Sequence, residues 1–152
     1  DHSICMVEYE TGQVGHAENS WAKKCGGVDD KCEIYGSQGY TQADLLRGTS
    51  FLTYSETGYG YAREKTEATQ GLSFTMFEED WNYGFPQEIR HFARCVRGLE
   101  EPLETGEDGR TVLEIIWAAY AAAGRGERVE LPYSPPAGAE KPIDVWRDEG
   151  GT

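Results

Sequence analysis

The chain has 152 residues, enough for one domain with a core of its own, and its 38% hydrophobic and 12% aromatic content is that of a folded globule rather than a disordered segment. Its net charge of −13 sets an acidic surface against phosphate backbones and anionic headgroups, which argues against nucleic-acid and membrane partners. No apolar run approaches the ~20 residues that a bilayer-spanning helix requires, and no secretory signal is visible.

The opening "DHSICMVEYE" starts without an initiator Met and inside an alternating pattern, so the chain reads as a domain cut from a longer protein. "SICMVEYE" and "VGHAENSWA" flank "TGQ", a turn-sized gap containing Gly12, and are expected to form a β-hairpin. "KCEIYGS" and "YTQADLL" follow, divided by "QG", and "SFLTYSE" comes after "RGT". Short strands broken by glycine-containing turns indicate an antiparallel meander. Residues 57–69 turn polar and read as an excursion from the sheet, whereas "GLSFTMFEEDW" fits one more strand or an extended lead-in.

Two helices are expected next. In "FPQEIRHFARCVRG", Pro86 suits a helix start, Ile89, Phe92, Ala93 and Val96 form one apolar stripe expected to be buried, and Gly98 suits a left-handed stop. Thr105 with Asp108 resembles a capping box, and the helix it opens runs through "TVLEIIWAAYAAAG" to Gly124. That interior is apolar nearly all round, so this helix should be the most buried, packed on the sheet and on its neighbour, with Trp117 and Tyr120 in the core. "ERVELP" reads as a short closing strand, "YSPPAGAEKP" as a proline-rich connector, and "IDVW" as a small apolar anchor. The sum is an α+β fold, a mainly antiparallel sheet of about six strands with helices on one face. The uncovered sheet face must be polar or buried by a partner.

Cys5, Cys25, Cys32 and Cys95 are sparse and read as reduced structural thiols of a cytoplasmic protein. Cys25 and Cys32 would make a zinc half-site only with two further converging ligands, and no CxxC or HxxxH spacing supplies them, so no metal site is expected. His91 reads as a solvent-facing helix residue, His16 as a sheet or subunit-interface residue, and His2 as terminal and without a role.

The block "HFARCVRGLEEPLETGEDGRTVLEIIWAAYAAAGRGERVELP", with the earlier "KCEIYGSQGY" and "VEYETGQVGHAENSW", resembles the C-terminal part of the Gfo/Idh/MocA oxidoreductases. The likeness runs in order over nearly the whole chain, with Ala123 standing where many members carry Ser. It implies a substrate-binding and oligomerisation domain at residues 1–132, followed by a Pro-rich tail at 133–152. It also implies a preceding Rossmann domain, absent from this chain, that binds NAD or NADP and supplies a catalytic lysine in a Glu-Lys-Pro triplet. The present Glu140-Lys141-Pro142 lies beyond the last expected strand and is read as a decoy.

Neither "GYGYAREK" nor "TGEDGRT" has the glycine pattern and following helix of a nucleotide site, so no cofactor is expected on this chain. The resemblance implies a sugar, polyol or related hydroxy compound as the substrate of an enzyme inactive without its missing half. A non-catalytic binding or assembly module of the same fold is the alternative. Within "EEDWNYGFPQE", Glu79, Trp81, Tyr83 and Gln87 are the candidate substrate contacts, because aromatic faces stack on sugar rings while amides and carboxylates bind hydroxyls. Packing of Trp81 and Phe85 at the start of the helix is the plainer account of that segment. Tyr59, Tyr61 and Arg63 are candidates on a loop that covers the site or reaches a neighbouring subunit, and a homo-oligomer joined through the open sheet face is expected.

Overall fold

The computed structural model describes residues 2–20, 22, 31–44, 52–58, 60, 70–74 and 79–151. They divide into two compact units, Asp1–Glu100 and Glu101–Thr152.

Among the described residues the first unit contains six strands and two helices. β1 (His2–Glu8) pairs antiparallel with β2 (Val14–Ser20), with Glu8 opposite Val14. Gly12 takes φ 90° between them, and the closing bonds are Gly12 N–H to the Tyr9 carbonyl at 2.8 Å and Tyr9 N–H to the Gln13 carbonyl at 2.9 Å. A left-handed residue ending a short loop is what matches the turn to the strands' twist, and glycine adopts it without cost. β3 (Lys31–Gly36) pairs with β4 (Gly39–Asp44), Gly36 opposite Gly39, so the turn is Ser37-Gln38, one position earlier than expected. Tyr35 and Tyr40 face each other across this hairpin with stacked rings 5.9 Å apart. β5 (Leu52–Ser55) pairs with β6 (Gly71–Phe74), which settles the first part of the ambiguous "GLSFTMFEEDW" as strand.

The expected single sheet of about six strands is corrected here. Among the described residues the strands form three separate two-stranded antiparallel sheets. The β1–β2 and β3–β4 ladders are each closed by a short turn, and β5 pairs with β6 across a longer stretch of sequence.

α1 (Glu79–Asn82) is one turn of helix, and α2 (Phe85–Val96) follows with Pro86 in its first turn. α2 ends as expected: Gly98 takes φ 67°, Leu99 N–H reaches the Arg94 carbonyl and Gly98 N–H the Cys95 carbonyl, both at 2.9 Å, the two bonds of a Schellman stop. The stripe expected to be buried is not. Ile89, Phe92 and Val96 are 66%, 66% and 73% exposed, and Ala93 is exposed too. Periodicity specifies that these side chains share a face, but says nothing about whether another surface covers it.

The second unit is built around α3 (Gly106–Arg125) and α4 (Pro142–Asp148). The predicted capping box is present: the Asp108 N–H donates to Thr105 Oγ1, and the Asp108 carboxylate accepts from the Thr105 N–H at 2.8 Å. α3 does not stop at Gly124. It continues to Arg125, and Gly126, with φ 69°, is the left-handed residue that ends it. Gly124 has another purpose, because a Cβ there would lie 2.7 Å from the Trp146 carbonyl oxygen, so its lack of a side chain lets α4 approach.

The small apolar anchor expected in the tail lies on a helix. "PIDVW" is the helix α4, with Val145 wholly buried, and it packs on α3, where Ala118 and Ala121 are the buried residues. Tyr120 stays partly exposed and Trp117 is half-buried, so α3 is not covered all round. Arg125 pairs with Glu149 at 2.6 Å, joining the C-terminal ends of the two helices, and the guanidinium holds the Glu149 carboxyl below its ordinary range. The expected closing strand at "ERVELP" does not form, since this unit contains no described strand to pair with it. Instead, Tyr133 N–H is accepted by the Glu114 carboxylate at 2.8 Å, tying the connector to α3.

Among the described residues no helix is long and apolar enough to cross a membrane. Cys5, Cys32 and Cys95 are free thiols; Cys25 lies outside the described residues, and no group of three or more metal-ligating side chains converges within them.

Candidate functional site

The candidate segment runs from α1 into α2. Gly84, with φ 83°, reverses the chain between the two helices, and its N–H is bonded to the Trp81 carbonyl at 3.1 Å. A side chain at this position would resist the left-handed backbone, so glycine is required for the reversal. Gly84 also accepts the Glu88 N–H at 2.9 Å, and Pro86, having no N–H, leaves no orphan donor at the second helical position.

Three of the predicted residues lie along this reversal, Trp81 and Tyr83 before Gly84 and Gln87 after it. Trp81 is 55% exposed, presenting much of its indole to solvent, and Gln87 is exposed in the first turn of α2. Tyr83 is half-buried, its ring edge-on to Phe85 with centroids 6.2 Å apart, so this aromatic pair anchors the turn while Trp81 stays open. Glu79 begins α1. Tyr59, Tyr61 and Arg63 lie outside the described residues.

A second cluster, which pattern reading alone missed, lies further along α2. His91 is not simply solvent-facing: its side chain is 29% exposed, and Nδ1 lies 2.8 Å from Glu100 Oε2. The other carboxylate oxygen, Oε1, accepts from Arg94 Nε. His91 and Arg94 together hold the Glu100 carboxyl below the usual carboxylate range. Cys95 Sγ lies 3.5 Å from His91 Nε2. The signals were the i, i+4 spacing of His91 and Cys95, and an acid two residues beyond the glycine stop, where the chain turns back along the helix.

Of the other histidines, His16 is exposed on β2 opposite Met6, and His2 lies 3.9 Å from Glu18. Glu140-Lys141-Pro142 starts α4: the Asp144 carboxylate accepts the Lys141 N–H at 2.9 Å and the Glu140 N–H at 3.3 Å, and Pro142 occupies the first turn. A backbone-capping role accounts for the triplet's position.

A dinucleotide's pyrophosphate needs free N–H groups and positive potential at a helix N-terminus behind a glycine turn. The start of α3 carries Glu107 and Asp108, with Asp108 already bonded to the backbone, and α2 carries Glu88 in its first turn. These acidic starts do not suit a pyrophosphate.

Antiparallel strand pairs followed in the chain by helices give this protein the element content of an α+β fold. The sequence matches the profile described as "Oxidoreductase family, C-terminal alpha/beta domain" over residues 1–131. The chain belongs to this family, the Gfo/Idh/MocA oxidoreductases. It is 27% identical over 131 residues to a myo-inositol 2-dehydrogenase of Thermotoga maritima, covering 86% of this chain and 36% of that protein. Among solved structures it is similar to GenD2 from gentamicin A biosynthesis in complex with NAD, with TM-score 0.78 and 28% identity over 88% of this chain and 37% of that one. The chain therefore spans little more than a third of either relative's length.

Proposed function

We propose that this chain is the substrate-binding and subunit-joining part of an NAD(P)-dependent oxidoreductase acting on a sugar, polyol or related hydroxy compound. The observation that carries this reading is the family match across residues 1–131 in a chain that corresponds to 36% of a polyol dehydrogenase. The NAD complex of GenD2 supports the cofactor class. In this reading a preceding Rossmann domain holds NAD or NADP and supplies the catalytic lysine, and residues 1–152 alone are inactive.

The exposed indole of Trp81 offers a flat face for the C–H side of a sugar or cyclitol ring, and the Gln87 amide offers both a donor and an acceptor for hydroxyls. Tyr83 and Glu79 flank them in sequence, and the Tyr59–Arg63 stretch is assigned to the rim of the site or to a neighbouring subunit. Ile4, Met6, Ile34, Tyr35, Tyr54 and Leu72 are exposed on the hairpins, an apolar area that a homo-oligomer interface would cover.

The test is kinetic, on the full-length oxidoreductase. Trp81→Ala is expected to raise KM for a polyol substrate about tenfold with little change in kcat, the loss of one stacking contact. An unchanged KM would remove this segment from the site. Calorimetry on residues 1–152 is expected to show no NAD(P) binding, and a micromolar complex would overturn the assignment of the cofactor to another domain. Polyol binding without turnover by the full-length protein would leave a binding or assembly module as the function. A clean monomer by light scattering at high concentration would overturn the oligomer.

A further inference from the structure

We draw no further inference here: the strongest candidate, the exposed apolar face of α2 formed by Ile89, Phe92 and Val96, carries nothing because nothing in the structure shows what covers it.

Discussion

The hairpin unit and the helical unit handle their apolar residues in opposite ways. Ala118, Ala121 and Val145, the buried apolar residues among those described, all belong to residues 101–152, while Ile4, Met6, Ile34, Tyr35 and Tyr54 on the strands stand exposed. A helix satisfies its own backbone, so two helices need only matching faces to exclude water, and small residues let those faces meet closely. A two-stranded ribbon has two open edges and two faces, and buries little until further strands or a helix are laid on it. The same chain thus holds one unit stabilised by packing and another whose elements are defined mainly by their turns.

The strongest way to break that comparison is to pry α4 from α3. Gly124→Val puts carbon against the main chain of Trp146, where even a Cβ would come within 2.7 Å of the carbonyl oxygen, and neither backbone can move aside without unseating a helix. The expected cost is about 3 kcal/mol, read as a lower Tm and a shift in tryptophan fluorescence. An unchanged Tm would mean that the two helices do not meet as described. A smaller effect tests the cap alone: Thr105→Ala removes the side-chain acceptor for the Asp108 N–H and should cost about 1 kcal/mol, with amide exchange quickening in the first turn of α3 but not in the hairpins.

The mildest test is acid. The Arg125 guanidinium depresses the Glu149 carboxyl, and the Thr105 hydroxyl and backbone depress that of Asp108. A carboxyl lowered on folding contributes stability that is present above its unfolded value and is lost as pH falls through its folded value. The helical unit should therefore weaken below the ordinary carboxylate range, and Glu149→Gln should flatten that acid limb slightly, because the pair is solvent-exposed and screened. An acid limb identical in the variant would show that Glu149 does not contribute to it.

Helix ends were the most legible features. Pro86, Gly98 and the Thr105/Asp108 box act over three or four residues, and each does in the structure what its chemistry implies. The stop of α3 was misread at Gly124 because a glycine near a helix end has two uses, left-handed backbone and close approach, and the neighbour that required the second use lay twenty-odd residues downstream. α4 was hidden in a proline-rich context, where Pro142 starts a helix rather than interrupting one. For the candidate site, the aromatic segment from Trp81 to Gln87 was visible by composition. The His91–Glu100 contact was not, because it depends on the path that the chain takes after Gly98.

The amino-acid sequence by itself determined the α+β class, the hairpin strands, the start and stop of α2, the start of α3 and the family, all of which depend on local chemistry or on residue order. Tertiary structure alone decided which apolar faces are covered, that the tail folds onto α3, and that a carboxylate beyond α2 reaches back to His91. Burial and side-chain pairing are set by surfaces distant in sequence, and a periodic pattern can name a face without naming what lies against it.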